Sequence, residues 1–244
     1  MKETNDHTGM LLPAEVAAYL AGDPILNSDL SSEIEFRGGV LIEGSKDGAL
    51  VSDRKRQFFM LSSTNEAYGR TLLQLIPKDV EIIQVCQEHL VAPAIERFGF
   101  TGQMPCKRVA YLGSEPIDYE PTLDIRPATP DLVPFISSYY KLHDEPDLTE
   151  TVERGDLWCG YKDGDFVGFI GRHPEGTMGM LYIFEEHRRK GYGQELEMFL
   201  ANHILSLGEM PRGDVWVDNE QSLKLQEKMG FTAAATLIYW LFHR

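Results

Sequence analysis

The chain of 244 residues has only three cysteines, Cys86, Cys106 and Cys159, and they lie far apart. No C-x-x-C pair occurs. This spacing argues against a disulfide framework and a zinc ribbon, because both need paired or closely spaced thiols. We therefore expect a protein of a reducing compartment that has neither disulfides nor a bound metal.

The sequence also has no hydrophobic run long enough to span a membrane. The first ten residues are polar, and the longest nearly apolar run covers residues 231–242. A spanning helix needs about 18 apolar residues, and a secretion signal needs an apolar segment close to the N-terminus. We expect no membrane partner and a cytoplasmic location.

Positive charge is scarce, because 23 Lys and Arg residues stand against 38 Asp and Glu residues, and both halves of the chain are acidic. The formal net charge is −15. A surface of this sign repels phosphate backbones, so the sequence predicts no nucleic-acid partner and favours small cationic molecules. The hydrophobic content of 43% and the charged content of 25% are those of a globular protein that folds by itself.

The length suffices for two domains of modest size. Four prolines interrupt an acidic stretch from Ser114 to Pro130, between two regions with clearer patterns. We therefore predict an N-terminal α/β domain over residues 1–120 and a second domain over residues 121–244.

The second half predicts alternating strands and helices. Asp163 and Gly164 separate two apolar runs, and this dipeptide favours a tight hairpin. Asn219 suits a helix N-cap, and Gly230 suits the position just beyond the end of that helix. The predicted order is a strand at 123–126, a helix at 130–140, strands at 157–162, 165–171 and 177–184, a helix after residue 193, a strand at 215–217, a helix at 219–229 and a strand at 231–242.

The first half has a weaker version of the same order, with a hairpin over 38–51 that turns at 44–48, strands at 57–62, 81–86 and 104–112, and helices at 66–76 and 89–98. Two short segments agree between the halves: Ala67-Tyr-Gly-Arg parallels Gly191-Tyr-Gly-Gln, and Arg97-Phe-Gly-Phe parallels Lys228-Met-Gly-Phe. Either the halves are two copies of one fold, or they are two α/β domains with similar turns.

The segment Arg188-Arg-Lys-Gly-Tyr-Gly193 joins a predicted strand to a predicted helix. At such a junction, successive backbone N–H groups point to one place at the positive end of the helix dipole, which suits a pyrophosphate. Gly191 and Gly193 would let phosphates approach the backbone, and the three basic side chains add charge. Taken alone, the motif is also typical of a solvated turn.

Two motifs, separated as in a known family, favour the pyrophosphate site over the solvated turn. The segments Leu181-Tyr-Ile-Phe-Glu-Glu-His-Arg-Arg-Lys-Gly-Tyr-Gly and Asn219-Glu-Gln-Ser-Leu-Lys-Leu-Gln-Glu-Lys-Met-Gly-Phe, with the element order around them, resemble the GCN5-related N-acetyltransferase (GNAT) family. The resemblance covers about 120 residues. It implies the acyl-CoA N-acyltransferase fold in the C-terminal half, with the first half an α/β domain that is either unrelated or a degenerate repeat.

The resemblance also implies how acetyl-CoA binds. The fourth strand of the family bulges and diverges from the fifth, and the pantetheine arm enters the wedge between them. The main chain of Leu181, Tyr182 and Ile183 would then bind the arm, and Asn219 and Ser222 would contact the cofactor unless they only cap a helix. The pyrophosphate would bind to the backbone N–H groups of Arg188, Arg189, Lys190, Gly191, Tyr192, Gly193 and Gln194.

Catalytic residues are harder to assign. The family often has a Tyr that protonates the departing CoA thiolate, seven residues after the Asn, and this chain has Gln226 there. An amide is no acid in this sense, although solvent could protonate a thiolate. A family carboxylate on the fourth strand also has no counterpart, and Glu185 replaces a frequent Pro. The weak catalytic candidates are Glu186, Asp218, Tyr182 and Ser222, and further candidates for a base are Glu175, Glu185, His187 and Tyr239.

These features predict an acetyl-CoA-dependent N-acetyltransferase that acts on a primary amine of a small molecule by direct transfer, without a metal or a covalent enzyme intermediate. The alternative is an acyl-CoA-binding or sensing protein without activity, and an unliganded structural protein is a third reading. The first half lacks the phosphate loop, so we expect no CoA there, and we expect Arg54-Lys-Arg56 to form a solvated turn. The acceptor and the oligomeric state stay open.

Overall fold

The computed structural model describes residues 12–55, 57–140 and 145–243. The chain forms two compact units: the residues before Lys107 together with those from Ala235 onward form the first unit, and Lys107–Ala234 forms the second. This division differs from the predicted boundary after residue 120. The difference arises because the end of the last strand pairs with a strand of the first unit, with Tyr239 opposite Val85. The basic turn at residues 54–56 is only partly described, because residue 56 lies outside these ranges.

The predicted strands and helices are present with small changes of bounds, and the structure adds three helices. The first part of the chain contains α1 (Ala14–Gly22), α2 (Ser28–Phe36), β1 (Val40–Ser45), β2 (Gly48–Ser52), β3 (Phe58–Ser63), α3 (Glu66–Leu73), β4 (Ile82–Val85), α4 (Val91–Phe98) and β5 (Gly102–Ala110). The second part contains β6 (Asp124–Pro127), α5 (Val133–Tyr139), α6 (Glu145–Glu153), β7 (Leu157–Lys162), β8 (Asp165–Arg172), β9 (Met178–Ile183), α7 (Tyr192–Ser206), β10 (Arg212–Trp216), α8 (Glu220–Lys228) and β11 (Thr232–Phe242).

The first unit is built on a mixed sheet in the order β1, β2, β3, β4, β11 and β5. The first three strands are antiparallel, β3 and β4 are parallel, and β11 is antiparallel to β4. Apolar side chains from these strands, including Phe59, Leu61 and Ile83, pack with Leu72 and Leu90 in one core.

Helices α1, α2 and α6 were not predicted. The buried residues of α2 include Ser28, Asp29, Ser32 and Glu33 with a single leucine, Leu30. A helix with a polar inward face lacks the apolar period that reveals helices in a sequence.

The second unit contains the antiparallel sheet β6, β7, β8 and β9. One core joins strand residues to α7 and α8, through side chains such as Leu196, Leu200 and Met229. A second core joins the sheet to α5 and α6, through Ile136 and Leu148. Helices therefore cover both faces, and β9 stands at the edge of the sheet. Among the described residues, no helix is both long and apolar enough to cross a membrane.

Candidate functional site

Strand β9 offers an unpaired edge to a ligand. It pairs with β8 on one side, and no hydrogen-bonded ladder joins it to β10. The backbone N–H of Phe184 donates to Val167 O at 3.1 Å. Because neighbouring residues in an antiparallel strand point their backbone groups to opposite sides, the N–H and C=O of Ile183 face the free edge. A pantetheine arm could add to β9 as a further strand.

A bulge interrupts β9 at the position that the family resemblance implies. Tyr182 lies opposite Phe169, but Gly179 lies opposite Gly171, so β9 has one residue more than β8 between these pairs. Met180 takes up the extra length with a φ of 51°, which is rare for a residue with a side chain. The bulge turns the middle of β9 away from regular pairing.

Strands β9 and β10 are in contact near their N-terminal ends. There Arg212 Nη2 donates to Glu175 O at 2.7 Å. A Cβ atom on Gly213 would lie only 3.2 Å from Met178 O. β9 and β10 belong to different sheets, and no ladder joins these two described strands, so the rest of the β9 edge is open towards the loop before α7.

The loop before α7 presents a series of unused N–H groups. Arg189 and Gly191 have left-handed backbones, with φ of 60° and 86°. In the described structure, the first N–H of α7 that bonds to backbone is that of Glu195, and the N–H groups of residues 189–194 have no partner. Arg188 was predicted to bind phosphate by its N–H as well, but this group already donates to Glu185 O. The predicted set therefore starts one residue later.

The space around Gly191 and Gly193 suits the binding of a pyrophosphate. Nothing lies within 4 Å of a Cβ built on Gly191, so protein packing does not demand glycine there. A Cβ on Gly193 would lie 3.5 Å from Ile183 Cγ1, an ordinary contact. α7 is 15 residues long, has no side-chain cap, and directs its positive end at this opening. The loop thus fits a pyrophosphate by shape and by charge.

The basic side chains of the loop differ in position. Arg188 folds back, and its Nε donates to Ile183 O at 2.9 Å while its guanidinium lies 5.6 Å from the centre of the Tyr182 ring. Arg189 and Lys190 are exposed. Arg188 therefore covers an acceptor on the free edge of β9, and it would have to release that oxygen for an arm bound along the strand.

Asn219 caps α8, as predicted. Its Oδ1 accepts the backbone N–H of Ser222 at 3.1 Å. Asn219 is exposed and Ser222 is half-buried. The capping role is thus present in the structure, and a cofactor contact of these two residues stays a prediction.

The side chain of Gln226 forms part of a contact between two helices. Its side chain is buried between α8 and α7, and its Nε2 donates to Glu197 Oε2 at 2.8 Å. Its Oε1 is buried without a protein partner. The amide therefore holds α8 against α7, and the absence of the family's Tyr acid at this position stays a prediction about catalysis.

Burial raises the pKa of the Glu197 carboxyl to about 7, and the hydrogen bond from Gln226 opposes part of this shift. A protonated Glu197 can donate to Gln226 Oε1, so that the acid and the amide pair in both directions. The protonated pair leaves no buried charge between the helices.

The Glu197 shift predicts a pH-dependent stability. The unfolded carboxyl has a pKa near 4.5, so the native state holds a proton that the unfolded chain has lost between pH 4.5 and 7. The free energy of unfolding should fall over this window, by about 3 kcal/mol in total. Glu197→Gln cannot ionise and should unfold at higher urea concentration than the wild type at pH 8, with little difference at pH 4.5.

The matched control is Glu227→Gln, an exposed carboxyl on α8. Its effect on the urea midpoint should be the same at both pH values. A Glu197→Gln variant that is less stable than the wild type at pH 8 would show that the carboxylate is ionised and favourable in the native protein.

The sequence-predicted catalytic candidates lie in different places. Glu185, Glu186 and Asp218 are exposed. The ring of Tyr182 stacks on Phe169 with centroids 5.7 Å apart. The remaining candidates are half-buried: His187 lies 6.5 Å from the Tyr192 ring, and Tyr239 belongs to the first unit, where burial and Glu88 raise its pKa.

In the first unit, the loop before α3 corresponds in element order to the loop before α7, but contacts within the protein close it. The Oδ1 of Asn65 accepts the N–H of Tyr68, so the start of α3 is already capped. A Cβ on Gly69 would meet Leu90 Cδ2 at 2.5 Å, which shows that this glycine serves packing. The residues at the start of α3 therefore do not form an open phosphate loop.

The strands of the first unit also leave no wedge. β3 and β4 are paired in parallel up to Leu61 and Val85. Beyond this ladder, Gln87 Oε1 accepts the N–H of Ser63 at 2.7 Å, and its Nε2 donates to Ser62 Oγ at 3.0 Å. The side chain of Gln87 thus occupies the backbone group that an added strand would need.

Comparisons with known proteins agree with this geometry. A family model described as FR47-like protein matches residues 159–241, about one third of the chain. No curated protein matches the sequence.

Solved structures match over most of the chain at low identity. A Drosophila protein has a TM-score of 0.61 at 14% identity, covering 80% of this chain and 74% of its own. A putative GNAT-family acetyltransferase from Novosphingobium aromaticivorans has a TM-score of 0.55 at 16% identity, and the match covers 91% of this chain and 97% of that one. A GCN5-related N-acetyltransferase-like protein from Streptococcus suis has a TM-score of 0.53 at 14% identity, and the match covers 93% of this chain and 100% of that one. The resemblance to the GNAT family and the acyl-CoA N-acyltransferase fold are thus confirmed.

Proposed function

We propose that this protein is an acetyl-CoA-dependent N-acetyltransferase whose acceptor is a primary amine of a small molecule. The observation that carries the proposal is the combination of a free strand edge at Ile183 with the unused N–H groups of residues 189–194 at the start of α7. An elongated ligand with an amide-bearing arm and a pyrophosphate matches both features at once. Acetyl-CoA has this chemistry.

The proposed binding mode uses the backbone more than the side chains. N–H groups from Arg189 to Gln194 would bind the pyrophosphate, Arg189 and Lys190 would add charge, and Leu181 to Ile183 would bind the arm. Asn219 and Ser222 would approach from the start of α8. Since the protein is strongly acidic, a cationic amine would be attracted to its surface.

Direct transfer needs few groups from the protein. The neutral amine nitrogen attacks the thioester carbonyl carbon, the bond from carbon to sulfur breaks, and CoA leaves as a thiolate. The nitrogen releases one proton to solvent as the amide forms. A thiolate with a pKa near 8.5 can leave and take a proton from solvent. Gln226 cannot supply this proton, because it is an amide and its side chain is buried against Glu197.

The free strand edge and the unused N–H groups also fit a second function, which is acyl-CoA binding without turnover. A protein that binds acyl-CoA but lacks turnover would also have the phosphate loop, the free edge and no acid at position 226. Release of free thiol from acetyl-CoA with a panel of primary amines separates the two: turnover supports the enzyme, whereas binding without turnover supports the sensor.

Acetyl-CoA is expected to raise the melting temperature of the protein. A ligand that binds only the native state at a hundredfold excess over its Kd stabilises it by about 2.7 kcal/mol. The measurement is a thermal-shift titration with acetyl-CoA, with NAD and ATP as controls that carry phosphates but no pantetheine arm. If millimolar acetyl-CoA leaves the melting temperature unchanged while NAD or ATP raises it, the ligand class is wrong.

A further inference from the structure

Two exposed aromatic side chains stand next to each other on α5. Phe135 and Tyr139 lie one helical turn apart, and their ring centroids are 5.1 Å apart. Their exposed fractions are 43% and 41%. Such a pair keeps a large apolar area in contact with water, and burial of this area would be favourable. Contiguous exposed apolar surface on a folded protein is typical of a place where a ligand binds.

These two rings continue into a group of aromatic side chains on the sheet. The Tyr139 ring lies 5.4 Å from that of Tyr182 and 5.0 Å from that of Phe184. The Phe135 ring lies 5.8 Å from that of Phe166. These spacings are those of favourable ring contacts. We call the five rings the aromatic cluster.

The aromatic cluster borders the strand that has the free edge. Met180 and Tyr182 pack on the α5 side of β9, whereas Leu181 and Ile183 pack on the α7 side. In the proposed binding mode, the main chain of residues 181–183 binds the pantetheine arm, so Tyr182 stands at the middle of the bound segment. An acceptor that approaches the arm from the α5 side therefore meets the rings of Tyr182 and Tyr139.

A cation of the protein itself occupies the position over Tyr182. The guanidinium carbon of Arg188 lies 5.6 Å from the ring centroid, and its Nε donates to Ile183 O at 2.9 Å. These two contacts place the space over the ring beside the β9 edge. An arm that donates a hydrogen bond to Ile183 O would displace Arg188 and leave the face of the ring open to another cation.

The charges near the aromatic cluster also favour a cation. Asp165 and Glu185 are exposed, and each is the chain neighbour of a ring of the cluster. Arg126 lies 5.4 Å from the centre of the Tyr161 ring, which stacks on the cluster, but Asp124 pairs with this guanidinium and neutralises it. A ligand that combines an ammonium group with an aromatic ring therefore matches the cluster by charge and by ring contacts.

We propose that the aromatic cluster binds the acceptor, and that the acceptor is a primary amine that carries an aromatic ring. This inference rests on the proposed acetyltransferase function. The ring of the acceptor packs against Phe135 and Tyr139, and its ammonium group takes the place of the Arg188 guanidinium over Tyr182. The cluster binds and positions the amine beside the arm and takes no part in the bond changes of the transfer.

The first test measures the binding of 2-phenylethylamine by calorimetric titration in the presence of saturating CoA, which has the arm and the pyrophosphate but no acetyl group to transfer. Butylamine has the ammonium group without the ring, and 2-phenylethanol has the ring without the charge. We expect 2-phenylethylamine to bind at least about tenfold more tightly than either of them. Equal affinity for butylamine would overturn the aromatic part of the proposal, and equal affinity for 2-phenylethanol would overturn the cationic part.

The second test uses variants of the cluster under the same conditions. Tyr139→Ala should weaken the binding of 2-phenylethylamine at least about tenfold, whereas Tyr139→Phe keeps the ring and should stay within about threefold of the wild type. Leu207→Ala, which removes a similarly exposed apolar side chain after α7, is the matched control and should bind as the wild type does. The urea midpoint of each variant checks its folding. If Tyr139→Ala binds within twofold of the wild type, the amine does not bind at this cluster.

A third variant tests the position of the ammonium group. Without CoA, Arg188→Ala should bind 2-phenylethylamine at least about threefold more tightly than the wild type, because no guanidinium then occupies the face of the Tyr182 ring. An unchanged Kd would show that the ammonium group does not bind over Tyr182.

Thiol release from acetyl-CoA separates the acceptor class from the proposed function. If butylamine and 2-phenylethylamine are acetylated with the same kcat/KM, the acceptor class is wrong and the acetyltransferase function stands. If 2-phenylethylamine binds as expected but no amine releases thiol, the cluster is a binding site for an aromatic amine and the acetyltransferase function fails.

Discussion

Gly191→Asp and Gly193→Asp are each expected to weaken acetyl-CoA binding at least about 100-fold. Each substitution places a Cβ atom and a negative charge where the backbone N–H groups of the loop converge. At 4 Å and an effective dielectric constant of 20, two like charges repel by about 4 kcal/mol, which exceeds the roughly 2.7 kcal/mol of a hundredfold loss. The measurement is the Kd for acetyl-CoA by calorimetric titration.

Neither substitution should unfold the protein. A side chain at Gly191 meets open space, and a Cβ at Gly193 makes only ordinary contacts. The φ of 86° at Gly191 adds strain, but Asp tolerates the left-handed region better than most residues, and its charge is favourable at a helix N-terminus.

The matched control lies at the other end of the same helix. Gly208 also has a positive φ, 78°, and open space around its Cβ position. Gly208→Asp should leave the Kd within about twofold, and it should cost more stability than the loop variants because a negative charge is unfavourable at a helix C-terminus. If either loop variant binds acetyl-CoA within twofold of the wild type, residues 188–194 form a turn without a role in binding.

Asp214→Ala is expected to lower the free energy of unfolding by about 3 to 5 kcal/mol, because it leaves a buried guanidinium without its carboxylate. Arg108 is fully buried, and its Nε and Nη2 donate to the two oxygens of Asp214, each at 2.9 Å. The measurement is urea unfolding at pH 7, with the midpoint and the slope compared between variants.

An exposed pair provides the contrast. Lys224 lies 3.2 Å from Glu220 on α8, and both side chains are largely exposed. Lys224→Ala should change the free energy of unfolding by less than about 1 kcal/mol. The double variant Arg108→Met with Asp214→Leu should recover most of the loss, since it removes both charges. A loss below 1 kcal/mol for Asp214→Ala alone would show that water or a neighbouring group solvates the guanidinium.

Several site features were predictable from local sequence. The hairpin at Asp163 and Gly164, the N-cap at Asn219 and the glycine loop before α7 each depend on residues close together in the chain, and the structure has all three. Their physical cause is local, because turn and cap residues act through their own backbone angles and hydrogen bonds. The repeat relation between the two halves stays a prediction.

Other features depend on partners far apart in the sequence. The buried pair of Gln226 and Glu197 joins two helices, and Gln87 closes the strands of the first unit by bonding to Ser63. Helix α2 was not predicted because its inward face is mostly polar and therefore gives no apolar period in the sequence.

The amino-acid sequence by itself determined most of the order of strands and helices in the second half and the position of the glycine loop before α7, since apolar period, turn residues and glycines act over a few neighbours. The tertiary structure decided which strand edge is free, which carboxyl is buried, and that the last strand belongs with β4. These properties arise only when distant segments exclude water together, because burial, pairing and pKa depend on all neighbours in space.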